Sequence, residues 1–131
     1  MELKRSVAAQ FDDAILAHVN WILRFRHLLS GIEREAVDPA QVGDDTACAF
    51  GRWLHASPDA FRSGGQFELV RTLHREFHGE ASAIAAALRA HEPRGQLEAR
   101  LGDLEGLSDR LIDALYVAKA AHLDGAARAS V

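Results

Sequence analysis

Residues 7–31 read VAAQFDDAILAHVNWILRFRHLLSG, and their apolar side chains recur every three or four positions. The row consists of Val7, Phe11, Ala14, His18, Ile22, Phe25 and Leu29. This spacing is typical of an amphipathic helix, because residues three or four apart share one helical face. Gly31 is a candidate helix stop, so we predict a first helix over about residues 3–30. Its apolar face includes one polar side chain, His18.

Two further segments have the same helical spacing. One row consists of Phe67, Val70, His74, Phe77 with His78, Ala81, Ile84 and Leu88; the other consists of Leu97, Leu101, Leu104, Ser108, Leu111, Leu115, Ala118 and His122. They predict a helix that ends near His91 and a last helix over about residues 93–127. Strict two-residue alternation is absent, so we expect no strands.

A short helix is predicted between the first two long ones. Residues 46–55, TACAFGRWLH, carry the single cysteine, Cys48. Gly51 lies inside this helix at a cost of about 1 kcal/mol, which indicates close approach of another helix or a ring. Loops or breaks are predicted at Asp38-Pro39, Gly43, Asp44-Asp45, Ser57-Pro58-Asp59 and Gly64-Gly65. Three long helices and a short one, with short connections, make an antiparallel bundle.

The composition bounds the class of protein. The chain has 131 residues, 48% of them hydrophobic, which suits a single domain over residues 1–131 and excludes wholesale disorder. Its net charge of −4, without a Lys/Arg run, gives no case for nucleic acid or an anionic membrane. It has no apolar run of about 20 residues and no signal peptide, so we expect a cytoplasmic protein. One cysteine excludes an intrachain disulfide.

Three histidines and the cysteine are the candidate site. His74 and His78 are four residues apart and project from one helix face, and His18 lies on the apolar face of the first helix. A single buried histidine is usually a core residue with a hydrogen-bond partner, and a lone buried cysteine is usually a small hydrophobe. Three buried imidazoles need three sets of partners. Together with Cys48 they make a complete tetrahedral donor set for Zn²⁺.

The neighbours of these residues sharpen the hypothesis. The blocks His18-Val-Asn-Trp21, Cys48-Ala-Phe-Gly51-Arg-Trp53 and His74-Arg-Glu-Phe-His78 occur in this order. They resemble the H-x-x-W, C-x-x-G-x-W and H-x-x-x-H pattern of the chemoreceptor zinc-binding (CZB) domain family, over about residues 10–90.

The resemblance implies a fold, a site and a role. It implies Zn²⁺ held by His18, Cys48, His74 and His78, in a four-helix fold with a possible fifth short segment. We therefore predict an all-α, antiparallel four-helix bundle with an additional short helix carrying the cysteine. The family occurs in cytoplasmic bacterial chemoreceptors and in diguanylate cyclases, where zinc on this domain inhibits the enzyme through a dimer. This implies a sensor or regulatory domain that controls chemotaxis or cyclic-di-GMP synthesis through an output domain or protein.

Other side chains are expected around the site or away from it. Trp21 and Trp53 are expected to fill the core around the metal. The remaining histidines are expected on the surface or on helix seams, with His55 as the one alternative donor: His27, His55, His91 and His122. Ligands must lose their protons, so zinc binding is expected to weaken as the pH falls through about 6.5, the ordinary imidazole pKa.

Other functions fit the sequence less well or remain open. An H-E-x-x-H hydrolase needs a glutamate directly after the first histidine, whereas Glu76 is two residues after His74, and four protein ligands would close the site. We therefore expect no enzyme. A hemerythrin-like di-iron site is disfavoured because no glutamate forms a Glu-x-x-His pair with these histidines. A redox sensor through the zinc-bound Cys48 and a metal-free helical dimerisation module remain alternatives.

A homodimer is also expected. The last predicted helix is longer than a compact bundle of this size needs, and the resemblance points the same way. We expect four of its leucines to be shared between the chain's own core and a twofold contact: Leu101, Leu104, Leu111 and Leu115.

Overall fold

The computed structural model describes residues 6–32, 35–56 and 65–129, with side chains up to residue 122. These residues form five helices and no strand, which confirms the all-α prediction. The helices are α1 (Val7–Ser30), α2 (Pro39–Gly43), α3 (Ala49–His55), α4 (Gln66–Arg89) and α5 (Arg94–Ala129). Within the described ranges, none of them is long and apolar enough to cross a membrane.

Both ends of α1 follow from local chemistry. The Ser6 hydroxyl accepts a hydrogen bond from the backbone N–H of Ala9 at 3.1 Å, so the helix begins at Val7 rather than near residue 3. Residues 1–5 lie outside the described part of the chain. Gly31 adopts a left-handed conformation with φ of 80°, which confirms it as the helix stop.

The three long helices pack into an antiparallel bundle. Lys119 pairs with Asp12 at 2.7 Å, and Arg26 pairs with Glu105, so residue numbers rise along α1 as they fall along α5. A short turn after α4 sends the chain back along it as α5. The core between the helices consists largely of Phe11, Phe25, Val70, Phe77, Ile84, Leu101, Leu104, Leu111 and Leu115.

The short helix α2 was not predicted, because its segment was interpreted as a loop. Asp38 caps it by accepting a hydrogen bond from the Ala40 N–H at 3.0 Å, and Pro39 occupies its first turn. The Ser82 hydroxyl of α4 donates to the Pro39 carbonyl at 2.8 Å. Among the described residues the bundle therefore has three long helices, and the fourth helix besides α3 is only five residues long.

The cysteine-bearing helix starts later than predicted. The carboxylate of Asp44 accepts hydrogen bonds from the backbone N–H and the hydroxyl of Thr46, at 3.0 and 2.6 Å. This turn keeps Thr46 out of the helix, so that Cys48 is the N-cap residue and α3 begins at Ala49. The predicted break at Ser57-Pro58-Asp59 lies outside the described residues, as does Gly64, whereas Gly65 directly precedes α4.

Candidate metal centre

The four predicted ligands converge on one point. His18 comes from the middle of α1, Cys48 from the N-cap of α3, and His74 and His78 from one face of α4. One donor atom from each side chain lies within 4.8 Å of the other three. The three histidines are at most 2% exposed, and Cys48 is partly exposed.

Backbone carbonyls orient two of the imidazoles. His18 Nδ1 lies 2.6 Å from the Ala14 carbonyl oxygen, and His78 Nδ1 lies 2.8 Å from that of Val42. A carbonyl can only accept, so each Nδ1 must carry a proton and each neutral ring keeps its lone pair on Nε2. The His18 Nε2 is buried and has no hydrogen-bond partner among the described residues.

His74 joins the other donors at the centre of the cluster. Its Nε2 lies 3.4 Å from Cys48 Sγ and 3.1 Å from His78 Nε2. A neutral imidazole has one donor and one acceptor, so without a cation only one of these two contacts can be a proper hydrogen bond. The buried His74 Nδ1 also has no partner among the described residues. A cation bound by the inward lone pairs would remove the first conflict, and the Nδ1–H of His74 would still have no partner among the described residues.

Two of the separations between donor atoms, both involving His74 Nε2, fit zinc. With Zn–N bonds of about 2.05 Å and a Zn–S bond of about 2.3 Å, tetrahedral coordination separates two nitrogens by about 3.3 Å and nitrogen from sulfur by about 3.6 Å. The observed 3.1 and 3.4 Å are close to these values. Three imidazoles and one thiolate are also the borderline-soft donors that Zn²⁺ favours.

Burial shifts the pKa values of the histidines and of the cysteine in opposite directions. Desolvation lowers the pKa of His18 to about 4 and that of His74 to about 2, so both rings are neutral at pH 7. Desolvation also lowers the pKa of His78, against the hydrogen bond to Val42 and the nearby carboxylates of Asp45 and Asp44. Burial raises the pKa of the Cys48 thiol. The cysteine is therefore the ligand that must still lose a proton when a metal binds.

Aromatic rings enclose the histidines. Phe77 meets the His18 ring edge-on with centroids 4.9 Å apart, and Phe50 meets the His74 ring edge-on at 5.3 Å. Trp53 stacks on Phe50 at 5.7 Å, so this tryptophan stands behind the inner wall. Trp21 is partly exposed, packs on Phe25 at 5.8 Å against the edge of the core, and lines the same cavity as His18. Ring walls of this kind exclude water and strengthen electrostatic interactions inside.

Gly51 lets α3 approach the cluster, as the sequence predicted. A β-carbon at this position would overlap the backbone carbonyl of Asp45 and would lie 3.2 Å from His74 Cε1. The absence of a side chain therefore allows both the turn before α3 and the position of the His74 ring.

A cavity of about 830 Å³ adjoins the cluster, bounded by α1, residues 35–38, α2 and the start of α3. Its floor includes three of the four candidate ligands, His18, Cys48 and His78. We call this cavity the vestibule.

The other predicted assignments can be placed as well. The remaining four histidines do not join the cluster; His55 contributes only a weak electrostatic effect on His74. Glu76 is exposed on α4 and is not among the clustered donors. Sequence analysis missed the carbonyls of Ala14 and Val42, because a backbone acceptor has no residue-type signature. The Asp38-Pro39 pair, a typical helix start, is the signal that could have revealed α2 and hence Val42.

Comparison with known proteins agrees with this geometry. Searches of curated proteins and of solved structures gave no match. Among protein families, the chemoreceptor zinc-binding domain matches residues 18–85, more than half of the chain, and this range contains all four clustered donors. Because the match covers more than half of the chain, this chain belongs to the chemoreceptor zinc-binding domain family.

Proposed function

We propose that the chain is a zinc-binding regulatory domain in which His18, Cys48, His74 and His78 hold one Zn²⁺. The observation that carries the proposal is the buried Nε2 of His18, which lies in a cluster of donors and has no other described partner. A buried nitrogen without a partner costs free energy unless something binds it. A zinc ion meets that need and those of the neighbouring donors together.

The proposed role is regulatory and cytoplasmic rather than catalytic. Four protein donors would leave no open coordination position for a water or a substrate, which is typical of a structural or sensory zinc site. Zinc occupancy would then control an attached or separate signalling protein. The family name supports a chemoreceptor output, and the sequence resemblance extends this to diguanylate cyclases.

Zinc analysis tests the assignment. Purified protein should carry one zinc per chain, and Cys48→Ala or His74→Ala should lower its affinity at least about 100-fold, because each removes a direct donor. His27→Ala is the matched control, because His27 is exposed and lies outside the cluster, and it should leave affinity unchanged. Protein that contains no zinc and takes up none from solution would contradict the proposal.

A second function, oxidant sensing, is supported by the exposure of Cys48. It is the only clustered donor that is not fully buried, and it lines the vestibule. Hydrogen peroxide would transfer one oxygen to the thiolate, giving a sulfenic acid and hydroxide, so that the sulfur no longer serves as a good zinc donor. Peroxide should then release zinc in proportion to Cys48 oxidation, as measured with a zinc-chelating dye and mass spectrometry.

We also propose that the chain forms a homodimer, through side chains other than those expected. Leu101, Leu104, Leu111 and Leu115 are all at most 3% exposed within one chain, so they are not available to a second copy. On α1, Leu16, Val19 and Leu23 are 60%, 38% and 47% exposed and recur at helical spacing. This row is a suitable self-complementary surface for a twofold contact.

A further inference from the structure

The vestibule has an acidic rim above a floor of metal donors. Four carboxylate side chains line it in exposed positions: Asp13, Glu35, Asp38 and Asp44. Among the described lining residues, Arg24 is the only arginine or lysine. Its guanidinium lies over the Trp21 ring, 5.2 Å from the ring centroid. The described lining therefore has a strong excess of negative charge.

The negative charge at the rim of the vestibule also acts on the candidate metal centre. A cleft lined by one sign of charge focuses the field and raises the local concentration of ions of the opposite sign. Asp44, on the rim, and Asp45 next to it are close enough to His78 to act on its imidazole through space. A cation at the rim is thus attracted inward as far as the ligands.

The floor offers such a cation a donor. His18 lines the vestibule, and its lone pair is on Nε2 because its Nδ1–H is held by the Ala14 carbonyl. That Nε2 is buried without a described partner. Away from the vestibule, the Phe77 ring stands edge-on to His18 and shields that side of the cluster. The acidic rim, the unpartnered nitrogen and the aromatic wall at Phe77 are three separate features that favour the same route.

We infer that the vestibule is the path by which a hydrated divalent metal ion reaches and leaves the centre, with the carboxylates of Asp13 and Glu35 attracting it at the rim. This inference rests on the proposed zinc function and adds a kinetic role to side chains that are not ligands. Asp38 and Asp44 line the same rim, but substituting them would disturb the turns that their carboxylates hold at α2 and Thr46.

The first experiment removes the rim charge. Zinc uptake by apo protein is followed by stopped-flow fluorescence of Trp21 and Trp53, in wild type and in Asp13→Asn/Glu35→Gln. The association rate constant should fall about fivefold at low ionic strength, and the difference should shrink at high salt. The control Asp103→Asn/Asp109→Asn makes the same change in net charge at two exposed positions of α5, away from the vestibule. It should bind zinc at the wild-type rate.

The second experiment obstructs the path without changing charge. Ala17 is an exposed lining residue of α1, so Ala17→Trp should narrow the vestibule. An obstructed path slows arrival and departure equally, so uptake and chelator-driven release should both slow by the same factor while the dissociation constant stays the same. Ala99→Trp, on an exposed part of α5, is the control for adding a surface indole.

The outcomes separate the two proposals. If wild-type protein binds no zinc, the proposed function is wrong, and the inferred path is wrong with it. If wild type binds one zinc but both vestibule variants take it up at the wild-type rate, zinc binding stands and the path is overturned. The path is likewise overturned if only the control variants take up zinc slowly. It is also overturned if Ala17→Trp changes the dissociation constant instead of slowing uptake and release by the same factor.

Discussion

Protonation of single side chains determines how pH acts on this site. Burial lowers the pKa of His18 to about 4 and that of His74 to about 2, so both rings are neutral near pH 7. Burial raises the pKa of the Cys48 thiol, which therefore keeps its proton. Falling pH through 6.5 therefore adds no proton to these two rings, in contrast to the behaviour expected from ordinary imidazoles. We therefore expect the proton that competes with zinc near neutral pH to be that of the Cys48 thiol, whose pKa burial raises.

Zinc binding at pH 7 should accordingly release about one proton per ion, and affinity should fall about tenfold for each unit decrease in pH between pH 8 and 6. Calorimetry in buffers of different ionisation enthalpy measures that number. Cys48→Ala keeps the three imidazoles and should reduce the release to nearly zero. A release of two or three protons from wild type would mean that the histidines are charged in the apo protein.

Gly51 gives a second prediction at this scale. In Gly51→Ala the new β-carbon overlaps the Asp45 carbonyl, a backbone group that cannot move aside without disturbing the turn before α3. We expect a loss of about 1–3 kcal/mol in the free energy of unfolding, with weaker zinc binding. Gly102→Ala is the matched control, because nothing lies within 4 Å of a β-carbon there, and it should stabilise α5 by up to about 1 kcal/mol. Denaturant titration compares them, and equal effects would refute the packing argument.

At the scale of the secondary-structure elements, the backbone just after α4 has a strained conformation that one substitution should relieve. His91 has φ of 55°, and it completes a helix stop in which its own N–H donates to the Leu88 carbonyl and that of Glu92 donates to Ala87, both at 3.1 Å. The left-handed conformation is costly for any residue with a β-carbon. His91→Gly should therefore raise the free energy of unfolding by about 0.5–1 kcal/mol. His91→Ala, which keeps the β-carbon, should give no such gain in thermal unfolding.

We expect α3 and the turn before it to depend on zinc more than the other elements do. It reaches the bundle mainly through Phe50 and Leu54, whereas α2 has its own hydrogen bonds to His78 and Ser82. Removing zinc, or oxidising Cys48, should loosen residues 44–56 while the long helices persist. The segment predicted to loosen extends to about residue 62, and residues 57–62 lie outside the described chain.

Hydrogen exchange on zinc-loaded, chelated and oxidised protein measures this directly. Amides of residues 44–56 should lose protection at least about tenfold more than those in the middle of α1 and α5. A uniform change, or none near Cys48, would make zinc a purely structural ion. A local change would provide the movable element that a regulatory domain needs to influence an output.

The length of a helix explains how well its existence and bounds could be predicted from the sequence. The long helices repeat their apolar spacing over many turns, so α4 and α5 lie within a few residues of their predicted bounds. The five-residue α2 spans little more than one turn and has no period to detect. The four clustered donors were all named from spacing and resemblance. The vestibule was not, because its acidic rim comes from residues distant in sequence.

At the scale of the whole molecule, the exposed apolar side chains form a pattern of their own. Leu16, Val19 and Leu23 follow one another along α1, and Tyr116 on α5 is 55% exposed. The Asp12–Lys119 pair brings Leu16 and Tyr116 to similar levels along their neighbouring helices. Exposed apolar side chains that recur along one helix are typical of an interaction site. A twofold axis near Val19 would set the two ends of the row against each other, Leu16 facing Leu23 of the second copy.

Charge placed in that row should separate the copies. Wild-type protein at micromolar concentration should scatter light with twice the 14.3 kDa chain mass, and Leu16→Glu/Leu23→Glu should scatter with the single mass. In a twofold contact each glutamate would be buried against a like charge, which disfavours association far more than the loss of apolar area alone. Leu69→Glu, at a 51% exposed position of α4, introduces a charge outside the row and should leave the dimer intact. Because all these positions are exposed in the single chain, the variants should keep their helical content and bind zinc. Wild-type protein that is monomeric at these concentrations would rule out the dimer, and a dimer that survives both glutamates would place its contact elsewhere.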